Sequence, residues 1–196
     1  IIVLAGVLLV VFSPSSKVSQ KFIDKYNEAA AMNAEIFAAL QTELLVFEQI
    51  APKENAKDYT GIVKIVDNAL AQTSSVVEKI NLHKQKISEL RSLSLKISDP
   101  EVKSKALALI SLIEEKGLHM TKGFDNLKQL LGLLRSYYNG LAIGSNPSFP
   151  ASTDSLIKQT DTEGKIISNL SDKETSARDD FFKIAGLEEI DPTSKF

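Results

Sequence analysis

The chain has 196 residues, with 23 Lys and Arg against 25 Asp and Glu and a formal net charge of -2. This near balance argues against a general nucleic-acid binder, which needs a basic surface. A hydrophobic fraction of 43% argues against intrinsic disorder. Cysteine is absent, which excludes disulfides, a thiolate nucleophile and a lipid-accepting cysteine in this sequence.

The first twelve residues, IIVLAGVLLVVF, contain no polar side chain, and Ser-Pro-Ser-Ser follows them. A membrane-spanning helix needs roughly 20 apolar residues and a signal-peptide core about 7–15, so both readings fit a chain that begins at Ile1 rather than Met. A buried core helix is the alternative, but Pro14 would end it. No A-x-A cleavage site is visible, which favours an uncleaved anchor. We predict that residues 1–16 are a membrane anchor or signal-peptide remnant, with membrane contact through residues 1–12 and the remainder extracytoplasmic.

Apolar residues spaced by three and four predict long helices over residues 22–47, 59–97, 102–141 and 156–184. The second and third segments keep heptad spacing throughout, and the short break between them requires an antiparallel hairpin. The first segment is ended by Pro52 and the polar residues after it. We predict an all-α fold: an elongated antiparallel four-helix bundle or coiled-coil hairpin behind an N-terminal hydrophobic helix.

Helix boundaries have recognisable signals. Asp99 is a good N-cap, and Pro100 suits the first turn of the third helix. NGLAIGSNPSFPAS, residues 139–152, has the Gly and Pro content of a loop, and Ser152 or Thr153 then caps the fourth helix.

Two further signals concern the fourth helix and the C-terminus. SDKE at residues 171–174 has the form of a capping box, so we expect the fourth helix to break there into two pieces. Gly186 is expected to end it. The resulting division is an anchor, a bundle over residues 17–187 and an exposed acidic tail over residues 188–196.

The two histidines are the candidate metal ligands. His83 lies on the second seam, and His119 lies beside Met120 in the third segment, where Glu115 precedes it by four residues. With these three residues a metal or proton-sensing site is conceivable. The Glu-x-x-His motif of bundle metal sites is missing, since Ile80 and Lys116 stand three residues before the histidines. We therefore predict no metal and no cofactor.

Four other polar residues fall on the apolar seams: Asn33, Thr73, Ser94 and Lys116. One interpretation is a polar interior that binds a ligand. The other is control of helix register, with Lys116 extending outwards to solvent.

Tyr137 and Tyr138 precede the predicted loop, and Phe149 lies within it. They form either an exposed aromatic patch for a protein partner or a cap over the end of the bundle. No nucleophile, acid and base stand at spacings that make a catalytic site, and we predict that the protein is not an enzyme.

The hydrophobic leader, QKFIDKYN at residues 20–27 and SFPAS at residues 148–152 resemble, in this order, the YiaF-like bacterial envelope lipoproteins of unknown function. The resemblance implies a bacterial envelope location and implies no functional residues. The lipid-accepting cysteine of such lipoproteins is missing here, and Ser-Pro-Ser-Ser stands in its neighbourhood.

The sequence thus favours a membrane-tethered, extracytoplasmic helical bundle that acts by protein–protein contact as a scaffold, spacer or envelope factor. A ligand- or metal-sensing bundle is the alternative. We expect a protein partner, no nucleic acid, and leave open a homo-oligomer formed through remaining seam faces.

Overall fold

The computed structural model describes residues 9–11 and 16–190, without the side chains of residues 9–11, 40–45 and 188–190. The described residues are overwhelmingly helical, which confirms the all-α class. The elements in chain order are β1 (Leu9–Val11), α1 (Gln20–Asn55), α2 (Tyr59–Ser94), α3 (Pro100–Ala142), α4 (Thr153–Ala185) and β2 (Glu188–Ile190).

Helix α1 continues three residues beyond Pro52 before it ends. The end is a Schellman motif: the Asp58 N–H donates to the Lys53 carbonyl at 2.9 Å, and the Lys57 N–H donates to the Glu54 carbonyl at 2.9 Å. Lys57 occupies the left-handed position that usually carries glycine, with a φ of 55°. The chain can therefore turn at once into α2.

The predicted start of α3 is confirmed. The Asp99 carboxylate accepts hydrogen bonds from the Glu101 and Val102 N–H groups at 3.0 and 3.1 Å, and Pro100 is the first helical residue. Both bonds stabilise the ionised carboxylate, and together with the salt bridge to Lys17 they lower the pKa of Asp99.

The expected break in α4 is wrong, because the helix is continuous from Thr153 to Ala185. The Ser171 hydroxyl donates to the carbonyl of Ile167, one turn earlier, at 2.9 Å. It is therefore bonded inside the helix and does not cap a new one. Gly186 ends α4 as predicted, with a φ of 69° and a hydrogen bond from the Leu187 N–H to the Phe182 carbonyl at 3.0 Å.

The chain divides into two compact units. Unit 1 comprises Ile1–Phe37, Lys79–Leu118 and Ile166–Phe196, and unit 2 comprises Ala38–Glu78 and His119–Lys165. Each unit draws on all four helices.

The core of unit 1 is dense in aromatic and aliphatic side chains. Phe22 meets Phe181 edge-on with ring centroids 5.6 Å apart, and Tyr26 meets Phe182 at 5.3 Å. These pairs join α1 to α4. Fully buried aliphatic residues of the other two helices complete this core: Ile87, Leu90, Val102, Leu109 and Ile110.

The core of unit 2 is formed by the heptad positions of α2 and α3 with residues of α1 and α4. Its buried side chains include the following: Val46, Ile50, Ile62, Val66, Phe124, Leu127, Leu131 and Leu156. Ile62, Val66, Leu127 and Leu156 stand on the predicted apolar ladders. The other four residues lie beside or just beyond a ladder position, so the periodicity located the buried faces approximately.

The N-terminal hydrophobic segment differs from the expected helix where it is described. Leu9–Val11 is a strand, paired antiparallel with Glu188–Ile190, and Leu9 stands opposite Ile190. Leucine and valine in an apolar run suit a strand as well as a helix, and a partner strand decides between them. The rest of the leader and residues 191–196 of the acidic tail lie outside the described residues. Among the helices described, none is both long enough and apolar enough to cross a membrane.

Candidate functional site

Four of the five polar residues on the predicted seams are buried: Thr73, His83, Ser94 and Lys116. The hydroxyls of Thr73 and Ser94 donate to the carbonyls of Ala69 and Leu90 at 2.8 and 2.9 Å, inside their own helix. A hydroxyl bonded in this way needs no ligand. These two residues therefore favour a structural role over a binding interior.

Lys116 does not extend to solvent, contrary to our expectation. Its side chain is 3% exposed, and its ammonium forms an ion pair with the carboxylate of Glu174 on α4. The ammonium also lies 5.6 Å from the centroid of the Phe37 ring. A buried ammonium requires a nearby carboxylate, and α4 supplies one inside unit 1. The Lys116 side chain therefore does not need to extend to solvent.

His83 lies in the same unit as this ion pair and is almost fully buried. Burial disfavours the charged imidazole, and the Lys116 ammonium repels it. Together they lower the pKa of His83 from 6.5 to about 4. His83 is therefore neutral at pH 7.

His119 is placed in unit 2 and pairs with a residue that we did not single out. Its Nδ1 lies 2.6 Å from the Glu163 Oε2 of α4, with both side chains largely buried. The two helices approach closely here, since a Cβ on Gly123 would stand 3.6 Å from the Glu163 Cβ. Glu115, which we considered as a ligand beside His119, belongs to unit 1. Within the described part of the chain, no group of three or more His, Cys, Asp or Glu side chains is placed to hold a metal ion.

A signal for Glu163 and Glu174 was present in the sequence. The apolar ladder of α4 skips one step between Thr160 and Ile167 and another between Leu170 and Ala177. Glu163 and Glu174 occupy those two steps. A charge on the seam of one helix implies an opposite charge on a neighbouring seam.

An open groove lies beside Glu163 in unit 2, between α3 and α4. Its volume is about 370 Å³, and it is lined by seven polar or charged residues: Lys122, Asn126, Ser155, Lys158, Gln159, Thr162 and Glu163. We call it the α3–α4 groove. Sequence reasoning did not find it, because the lining combines residues of two helices.

Tyr138 of the predicted aromatic patch is buried. Its hydroxyl donates to the Glu54 carboxylate at 3.1 Å, and its ring stacks on Tyr59 with centroids 6.4 Å apart. Burial, with the Glu54 charge second, raises the pKa of Tyr138 to about 12. Tyr138 thus caps the end of the core of unit 2.

Three exposed apolar side chains lie further along, two in the connection between α3 and α4 and one, Ile157, in the first turns of α4. Phe149 is 53% exposed and packs edge-on against Tyr137 at 5.0 Å. Ile143 is 75% exposed and Ile157 is 43% exposed. We call these three exposed residues the apolar α3–α4 connection.

Comparison with known proteins adds no identification. No protein-family model matches the chain, and neither a curated protein nor a solved structure matches it significantly.

Proposed function

We propose that the protein is a membrane-tethered, extracytoplasmic helical bundle of a bacterial envelope that acts by contact with another protein. The bundle is an antiparallel arrangement of α1 to α4, and its role is that of a scaffold, spacer or envelope factor. The observation that carries the proposal is the apolar α3–α4 connection. The YiaF-like resemblance and the apolar run at residues 1–12 support the location.

Two of these residues, Ile143 and Phe149, lie in the constrained loop that follows α3. The Ser145 N–H and hydroxyl both bond to the Gly140 carbonyl, at 3.0 and 2.6 Å. A Cβ on Gly140 would stand only 2.9 Å from the Pro147 ring, so the loop packs closely on the end of α3. A preorganised loop loses little conformational freedom on binding, which favours contact with a partner.

Single exposed hydrophobic residues are common on protein surfaces. Here an aromatic ring and two isoleucines are exposed within fifteen residues of chain, beside a packed tyrosine. Aromatic side chains held in place in this manner are typical anchors of protein interfaces. Thr73, Ser94 and Lys116 all have partners inside the protein, which agrees with a structural role for the seams rather than a ligand-binding one.

The test is photo-crosslinking in cells. The full-length, tagged protein carries p-benzoylphenylalanine in place of Phe149, and captured proteins are identified from the membrane fraction. We expect one stoichiometric partner. The matched control carries the same probe at Leu95, an exposed position in unit 1, and should not capture that partner.

A second variant tests whether the captured protein binds these apolar residues or only lies near them. Ile143→Ser, combined with a probe at Ile157, should lower the yield of the crosslinked product severalfold while leaving the helix content unchanged. Self-crosslinks alone, or equal capture from Leu95, would overturn the protein-contact proposal.

A further inference from the structure

We propose that the α3–α4 groove binds a small hydroxylated oxyanion, that is, a metabolite-sized molecule carrying hydroxyl groups and a phosphate or carboxylate. This inference is independent of the protein-contact function. It concerns a different group of residues in unit 2 and is tested by a separate experiment.

The charge of the lining favours an anion. Lys122 of α3 and Lys158 of α4 place two ammonium groups on the groove from facing helices. Neither forms an ion pair with any described residue. Glu163 is the one acid among the seven lining residues, and its Oε2 is bonded to His119 at 2.6 Å. The groove is thus lined by two lysines and by one carboxylate that already has a partner.

The remaining lining favours hydroxyl groups. Gln159 donates from its amide to the Ser155 hydroxyl at 3.2 Å, which leaves the Ser155 proton and the Gln159 oxygen for a ligand. The Thr162 hydroxyl donates to the Lys158 carbonyl at 2.8 Å and retains its lone pairs as acceptors. Asn126 adds both a donor and an acceptor. Such a set matches a ligand that both donates and accepts hydrogen bonds.

The size of the groove limits the ligand. Its volume of about 370 Å³ is near the lower end of the range for small-molecule sites, roughly 300–1,000 Å³. All seven side chains that line the groove carry a polar or charged group, which favours a hydrophilic molecule. A peptide or a nucleic acid would not be enclosed by it.

The test is an NMR titration of the isotopically labelled full chain in a neutral detergent, at constant ionic strength. Glucose 6-phosphate and gluconate are the phosphate and carboxylate probes, and glucose is the uncharged control. We expect saturable amide shifts confined to residues 122–126 and 155–163, in the millimolar range, with one or both anions but not with glucose. The stronger of the two anions identifies the charged group.

Two double variants decide whether the groove is responsible. Lys122→Met with Lys158→Met should weaken binding by about tenfold or more, because two charge-assisted hydrogen bonds are lost. Lys128→Met with Lys165→Met removes the same charge from exposed positions outside the groove and should leave binding unchanged. Absence of saturable shifts, equal shifts with glucose, or equal weakening in both double variants would overturn the proposal.

Discussion

Glu163 and Glu174 of α4 each pair with a nitrogen-bearing side chain of α3 within one unit. Glu174 pairs with Lys116 in unit 1, and Glu163 pairs with His119 in unit 2. Lys116, Glu163 and Glu174 stand at seam positions, where apolar residues are usual, and His119 lies beside Met120 of the α3 seam. A polar residue on a seam favours one helix register, because any shift would leave it buried without its partner.

We expect the free energy of unfolding to depend on Lys116 and Glu174 being paired, and much less on the presence of the two charges. Lys116→Met leaves a mostly buried carboxylate without its partner, and we expect the free energy of unfolding to fall by about 2 kcal/mol. The double variant Lys116→Met with Glu174→Leu removes both charges and should lie within about 1 kcal/mol of the original protein. Urea unfolding followed by circular dichroism measures both values. Equal losses in the single and double variants would contradict this account.

His83 should make stability depend on pH. Its folded pKa of about 4 lies below its usual value of 6.5, so the folded state binds fewer protons than the unfolded state between these values. Stability is retained above pH 6.5 and falls as the pH drops towards 4, by at most about 1.4 kcal/mol per pH unit. His83→Leu should flatten this slope in urea unfolding between pH 6.5 and 5.

The matched control for this slope is His119→Gln, which should retain the pH dependence due to His83. Asp58 and Asp99 also have lowered pKa values, but both begin from 3.8 and affect stability mainly below pH 5. The charged group that acts on His83 is the ammonium of Lys116, which is itself paired with Glu174. An unchanged slope in His83→Leu would show that the imidazole has the same pKa in the folded and the unfolded protein.

At the scale of single elements, the helices could be predicted from local sequence signals, whereas the strands could not. Asp99, Pro100 and Gly186 act where their chemistry predicts, since caps depend on residues within one turn. The capping-box pattern at residues 171–174 misled us, because the same hydroxyl can bond inside a continuing helix. The Leu9–Val11 strand needs a partner far away in sequence, which no local pattern reveals.

The β1–β2 pairing can be tested with a disulfide, since the chain has no cysteine of its own. Val10 stands opposite Glu189, and facing residues of an antiparallel pair have Cα atoms about 4.5–5.5 Å apart, within disulfide range. Val10→Cys with Glu189→Cys should oxidise readily in buffer. Val10→Cys with Glu188→Cys, one residue out of register, should oxidise far less.

The same disulfide experiment can be repeated in the presence of lipid vesicles to test the membrane attachment. A membrane helix that includes residues 9–11 cannot also be a strand, so attachment through residues 1–12 should lower the yield of the Val10–Glu189 disulfide when vesicles are added. An undiminished yield would count against that attachment, and equal oxidation of the two pairs would count against the strand register.

At the scale of the whole molecule, the proposed tether predicts where the protein is found in a cell. The full chain should stay with the membrane pellet after alkaline carbonate extraction, and a chain of residues 17–196 should enter the supernatant. The reason is that the proposed attachment resides in residues 1–12 alone. Release of both chains would contradict the tether, and retention of both would place the attachment elsewhere.

The sequence by itself determined the helical class, most helix boundaries and the buried faces. Thr73, His83 and Ser94 are buried as the seams predicted, because a helical period specifies which residues share a face. Only the tertiary structure decided which residues meet. His119 and Glu163 are 44 residues apart, and Lys116 and Glu174 are 58 apart. Such pairs depend on which helices are neighbours and on their axial register, and periodicity along one helix contains neither.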